Sequence, residues 1–292
     1  MSENVIKSYK GFDENMQCRG YQYEVGKDYE IDGDIKCCSR GFHACKSPME
    51  VWDHYDMLNS RFAEVEQSGK IDEEEKSTKV CSSHIKIKAE LKLSDIINIG
   101  VEWLKNVTSP SKVKTDGALN DNGDRKKQIG SSGYSAKIGS SGYYAKIGSS
   151  GDSAKIGSSG DSAQIGSSGY SAQIGSSGDY AKIGSSGYYA QIGSSGYSAK
   201  IGSSGYSAKI GSSGNSAKID STGDDSVIMC AGNKSKAKAK VGSWITLAEW
   251  KWNDEKNRNV PVCVETEYVD GENIKADTWY QLKNGKFVEV IE

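Results

Sequence analysis

The chain has 292 residues and a formal net charge of −2, with 37 Lys and Arg against 39 Asp and Glu. That balance argues against a strongly polyanionic or polycationic partner, and no apolar run reaches the roughly 18 residues of a membrane-spanning helix. The N-terminus (Met1, Ser2, Glu3, Asn4) does not read as a signal peptide, and seven irregularly spaced cysteines fit reduced thiols better than a disulfide framework, so a cytoplasmic protein is expected.

Residues 1–108 have ordinary globular composition and read as a small α+β domain. Val5 to Phe12 predicts a first strand, and Gly20 to Ile31 a second, bent at Gly26. Gly41 to Cys45 predicts a short strand leading into Ser47-Pro48-Met49-Glu50, which has the form of a helix start: Ser as N-cap, Pro at N1, Glu completing a capping box. Val51, Trp52 and Tyr55 then share a helical face. Arg61 to Gln67 and Val80 to Leu91 read as strands, the latter alternating at Ile85, Ile87, Ala89 and Leu91. Ser94-Asp95 is expected to cap a second helix that buries Ile97, Val101 and Leu104.

Two chemistries are conceivable for the residues of this block. Cys18, Cys38, His43 and Cys45 are weak candidates for zinc, but their spacing lacks the C-x2-C pairs of structural sites, and buried structural thiols are the plainer reading. Glu64 and Glu66, on a strand after Arg61, are similar to the acidic pair of some ADP-ribosyltransferases. A pair of carboxylates on a solvated edge explains the same spacing, and no Ser-His-Asp or Walker-type motif accompanies it. No cofactor is implied.

Residues 109–128, with Pro110 and scattered charges, read as a linker or an irregular first coil. From Ile129 a nonapeptide then recurs twelve times, in its fullest form Ile-Gly-Ser-Ser-Gly-Tyr-Ser-Ala-Lys. Strict phase argues against a flexible linker, because drift there would be free. Ala at position eight and Ile at position one flank a Lys or Gln, a period-two pattern with Ala and Ile inward. Residues 129–241 therefore predict a parallel β-solenoid, a β-roll or β-helix. Two units per flattened coil are preferred and three per triangular coil are the alternative. At about 4.8 Å per coil, six coils make a rod of about 29 Å. Glycines at positions two and five are expected to supply turns with positive φ.

The exposed positions carry Tyr, Ser and Lys. Position six varies among Tyr, Asp and, at Asn215, Asn, and residues 129–218 hold seven Lys and three Asp, a net +4. Asp is too rare for a repeated calcium site, and sparse charge without Arg argues against nucleic acid. Tyr144, Tyr180, Tyr188 and Tyr189, flanked by Lys182 and Lys200, are the candidate binding residues. Tyr is enriched in interface cores.

Residues 242–292 predict a β-rich cap. Ser235 to Gly242 alternates so that Ala237, Ala239 and Val241 point inward, and Trp244, Trp250 and Trp252 are expected to close the roll. Val260 to Val269 predicts a strand. Thr278 to Leu282 pairs with Lys286 to Val290 across Asn284-Gly285, a type I′ hairpin signal.

Tyr9-Lys-Gly-Phe12, Cys18-Arg-Gly20, Tyr23-Glu-Val-Gly-Lys27, Gly41-Phe-His-Ala-Cys45 and Asp277-Thr-Trp-Tyr280 together resemble an uncharacterised family found widely in bacteriophages and prophages, whose members flank nonapeptide runs with these blocks. The resemblance implies a phage setting and a non-enzymatic accessory protein that binds or scaffolds through a rigid solenoid. Its expected partner is a host or phage protein, such as a host defence protein. The alternatives are an ADP-ribosyltransferase-like or nucleotide-binding N-terminal domain on a spacer, and a virion decoration protein. Oligomers through solenoid ends or faces are compatible with each.

Overall fold

The computed structural model describes residues 5–74, 77–108, 118–120 and 128–291. The protein is mainly β, and the chain divides into two compact units, residues 1–103 and 104–292.

The first unit contains β1 (Ile6–Phe12), β2 (Gln17–Cys18), β3 (Tyr21–Gln22), β4 (Asp28–Glu30), β5 (Phe42–Cys45), β6 (Arg61–Glu73), β7 (Lys79–Leu91) and most of α1 (Leu93–Val107). Four strands close on themselves: β5 pairs with β7, β7 with β6, β6 with β1, and β1 returns to β5 at Tyr9↔Cys45. β4 adds to β7 at Tyr29↔Ile85. Phe12, Tyr23, Phe42, Val65, Ile85 and Ile87 fill the interior. Polar residues lie fully inside as well, Ser8, Gln67 and Ser82 among them. Gln67 accepts from Ser8 Oγ (2.7 Å) and donates to Phe42 O (2.7 Å), so its burial leaves both amide ends satisfied.

Several local expectations need correction. The predicted bend at Gly26 is present, at φ +85°, but the strand expected over Gly20 to Ile31 is reduced to two short pieces, Tyr21–Gln22 and Asp28–Glu30, on either side of it. The segment after Ser47 is a short 3-10 helix, Met49–Asp53, and no capping box forms. Glu50 is drawn away to accept from Thr78 N (3.1 Å) and Thr78 Oγ1 (3.0 Å). Ser94 lies inside α1, where Asp95 instead accepts from Lys92 N (2.9 Å). Ile97, Val101 and Leu104 are buried as expected. β6 is no edge, since β1 and β7 pair on its two sides.

In the second unit the repeat forms a parallel β-solenoid of two facing sheets. Ile138 pairs with Ile156 and Ile156 with Ile174 in one sheet, and Ile147 with Ile165 and Ile165 with Ile183 in the other. An 18-residue step between neighbours means two nonapeptides per coil, which excludes the triangular alternative. Ile and Ala point inward along the whole stack. Position three belongs to the interior too: Ser149, Ser167, Ser185 and Ser203 have no exposed surface. The alternation that buries Ala and Ile simply continues one step further.

Positive φ does not fall on the glycines of the repeat. It falls on position seven, at Tyr144, Ser153, Ser162 and their successors, each near +55°. Glycine at position five has a different cause. A Cβ at Gly151 would collide with Gly133 O, one at Gly169 with Gly151 O, and so on up the stack. Successive corners touch backbone to backbone.

The predicted ends also shift. Ala118–Asn120 pairs in parallel with residues 137–139, so the stack starts before Ile129; most of the 109–128 segment lies outside the described residues. Ile245 pairs in parallel with Ile228, so the stack runs past residue 241 to Leu247. Ala237 and Ala239 are inward, but Val241 is exposed, because the chain turns at Gly242 (φ +93°). Trp244 and Trp252 are exposed as well. They lie on the outer side of Trp244–Asn253, whose inward residues are Ile245 and Leu247. Tyr280 closes the roll instead, 2% exposed and paired with Ala237, while Trp279 covers Lys236 and Lys238. The hairpin turn has positive φ at both Asn284 and Gly285, as type I′ requires.

Candidate functional site

The first unit contains a cavity of about 870 Å³. It is built where β1, β5 and the 3-10 helix meet the turn around Cys18. On β1, Ser8, Lys10 and Phe12 share the inward side by strand alternation, which places a lysine among core residues. Lys10 is 4% exposed. Its ammonium donates to His43 O (3.1 Å) and Cys18 Sγ (3.4 Å), and lies 5.4 Å from the ring centroids of both Phe12 and Tyr23. Burial pushes its pKa down. Among the described residues, no carboxylate pairs with it.

Gly11 allows the next contact. A Cβ there would collide with the Tyr55 ring, so its absence lets that ring cross β1 and bring its hydroxyl to Cys18 Sγ at 2.9 Å. Burial raises the Tyr55 pKa, and Cys18 raises it further. His43 Nε2 accepts from Cys38 N (2.9 Å), which places the proton of its neutral ring on Nδ1. Burial lowers the His43 pKa, with Arg19 and Lys10 adding to the effect. His54 is lowered by burial and by Lys79. Arg19 is exposed at the cavity wall and sits at φ +54°, an uncommon conformation for a bulky residue. No hydrogen bond or ion pair holds its guanidinium among the described residues.

Cys18, Cys38, His43 and Cys45 all line this cavity. Cys18 Sγ meets Lys10 and Tyr55, Cys38 Sγ accepts from Lys79 Nζ (3.5 Å) and His43 Nε2 accepts from backbone, and among the described residues no three His, Cys, Asp or Glu side chains are grouped to hold a metal ion. The expectation of buried structural thiols holds for Cys45, whereas Cys18 is half-buried and Cys38 is exposed. Glu64 and Glu66 stand apart from the cavity as surface ion pairs, Glu64 with Lys7 (2.8 Å) and Glu66 with Lys88 (3.0 Å).

The solenoid candidates are split by geometry. Corners alternate between the two edges of the flattened coil, as the 17-residue corner hydrogen bonds show: Tyr180 N to Tyr197 O on one edge, Ser171 N to Tyr188 O and Tyr189 N to Tyr206 O on the other. Tyr180 and Tyr144 therefore share the first edge. Tyr188 and Tyr189 occupy the second, away from Tyr180. There Tyr189 meets Tyr170 (5.2 Å between ring centroids) and Tyr206 (6.1 Å), and Tyr188 meets Tyr206 (6.5 Å). All four rings are exposed. Lys182 and Lys200 are half-buried neighbours on the outer side of one sheet, in register with each other, and both have partners.

Sequence reading missed the two-edge arrangement because nothing in the repeat distinguishes odd from even copies. The Tyr/Asp exchange at position six also has a structural cause. Asp152, Asp161 and Asp179 each accept from the backbone N–H one coil further on, at Tyr170, Asp179 and Tyr197 (2.7–2.9 Å). Lys10 was legible in principle, since its parity with Phe12 marks it as inward.

These features define a β-solenoid protein with a separate, cavity-bearing N-terminal unit. A family model described as a domain of unknown function, DUF7666, matches residues 6–99. That range contains every residue lining the cavity and none of the nonapeptides. No curated protein and no solved structure matches the chain. Among the described residues, no helix is long and apolar enough to cross a membrane.

Proposed function

We propose that the protein is a non-enzymatic binding protein that uses its solenoid as a rigid surface and engages a protein partner through the edge bearing Tyr170, Tyr188, Tyr189 and Tyr206. The observation that carries this reading is the run of four exposed phenol rings on that edge, linked in a chain from Tyr170 through Tyr189 and Tyr206 to Tyr188. Tyr supplies large contact area with few rotatable bonds, and here a stacked backbone already holds each ring's Cα in place. The flanking blocks resemble a phage and prophage family. The partner is accordingly a protein of the infected cell, one acting in host defence being the leading class.

The test is site-specific photocrosslinking in infected cells. A benzophenone amino acid replacing Tyr188 is expected to yield a discrete protein adduct, whereas one replacing Lys155, on an exposed sheet face, is not. Changing all four tyrosines to Ser should abolish capture with the circular dichroism spectrum unchanged. Full capture by that folded variant would move the interface elsewhere.

A further inference from the structure

The solenoid reading leaves the N-terminal cavity without a task, and its construction points to a ligand. We propose that this cavity binds a small molecule joining an anionic group to an aromatic ring, of the nucleoside-phosphate class. Its volume, about 870 Å³, lies within the range of small-molecule sites, roughly 300–1,000 Å³.

Lys10 and Arg19 are the groups that would hold the anionic half. A buried ammonium without a counter-charge is a standing penalty on the empty domain. Its two protein acceptors, Cys18 Sγ and His43 O, leave one of three N–H groups for an incoming oxygen. Arg19, nine residues further on and also lining the cavity, offers a planar fork suited to phosphate. Lys10 and Arg19 line the cavity together with His43, whose pKa burial lowers, with both cations adding to the effect.

The aromatic half is argued from Tyr21, Tyr23 and Phe42, which also line the cavity. Tyr21 contacts the Tyr23, Tyr29 and Phe42 rings yet stays 46% exposed, which leaves part of its ring open to a planar group. Such faces stack on any base and so give affinity without strict selection. Asp53 and Asp56 line the cavity as well, beside His54 and Tyr55. Carboxylates there suit the hydroxyl and amino donors of a nucleoside and disfavour a bare polyanion.

The experiment uses the full chain in calorimetric titration and thermal unfolding, with the four nucleoside monophosphates, adenosine and inorganic phosphate as probes. At least one monophosphate is expected to bind at micromolar concentration and to raise the melting temperature. Adenosine and phosphate alone should each bind at least tenfold more weakly. Lys10→Met removes the buried charge at similar volume. It should weaken binding at least 100-fold while raising the melting temperature of the unliganded protein, a pairing that a purely structural lysine would not produce. Arg19→Ala, at an exposed position, should weaken binding about tenfold and keeps the test decisive if Lys10→Met does not fold. The proposal is overturned if no monophosphate binds below millimolar concentration, if phosphate alone binds as well as the nucleotides, or if Arg19→Ala and a folded Lys10→Met bind like wild type. None of these readouts depends on the solenoid edge.

Discussion

Gly151 stands directly over Gly133, so close that a Cβ on the upper residue would collide with the carbonyl oxygen of the lower. The same relationship recurs between Gly178 and Gly160, whereas a Cβ on Gly175 would meet nothing within 4 Å. Two glycines of one repeat thus have opposite tolerances. Gly178→Ala is expected to destabilise the solenoid by at least about 3 kcal/mol, since the stacked corner must open. Gly175→Ala should be neutral or stabilising by up to about 1 kcal/mol. Denaturant unfolding of the full chain followed by circular dichroism checks both.

Position seven carries a left-handed, non-glycine residue in coil after coil, with Ser198 at φ +53°. That conformation costs roughly 1–2 kcal/mol for an L-residue. Ser198→Gly should therefore stabilise by roughly 0.5–1 kcal/mol, the remainder being lost to glycine's greater freedom when unfolded. The midpoint of denaturant unfolding is the measurement, and a lower midpoint would contradict the strain.

The cap can be tested through its aromatics. Tyr280 is fully packed at the end of the stack, and its hydroxyl accepts from Lys275 N (2.9 Å). Tyr280→Ala should cost about 3–5 kcal/mol, the range for emptying a buried aromatic site. Trp252→Ala, at 57% exposure, should lie within about 0.5 kcal/mol of wild type. Thermal melts of the two variants distinguish plug from surface.

The two units should respond to acid in opposite senses. His43 and His54 are held below the ordinary imidazole value chiefly by burial. Below about pH 6.5 the unfolded first unit therefore binds more protons than the folded one, and its stability falls as pH drops. In the second unit, burial pushes Asp220 up to about 6, despite Lys238 at 3.1 Å. The folded form then holds the extra proton, so acidification from pH 7 toward 5 stabilises this unit. Asp270 is held down to about 2 by hydrogen bonds from Asn273 and from backbone N–H groups, and its contribution fades only below the ordinary value of 3.8. Scanning calorimetry at pH 7, 6 and 5 should show one transition falling and one rising, and Asp220→Asn should remove the rise.

The repeat alone determined that this protein is a solenoid. A nine-residue period with Ala and Ile on one parity leaves few ways to bury both, and stacking in register is the one that satisfies every strand. Tyr and Asp exchanging at one position marked that position as outward. What the tertiary structure decided was how units are shared between faces, because the sequence of a coil with two identical halves contains no label for left and right. That is why Tyr180 and Tyr188, eight residues apart, part company, while Tyr189 and Tyr206 meet. The need for glycine at position five was likewise hidden, since it arises from a carbonyl 18 residues earlier. The cavity shows the same limit. Lys10, Cys18, His43 and Tyr55 come from separate segments, and only closure of the strand ring, through Tyr9 and Cys45, brings them to one wall.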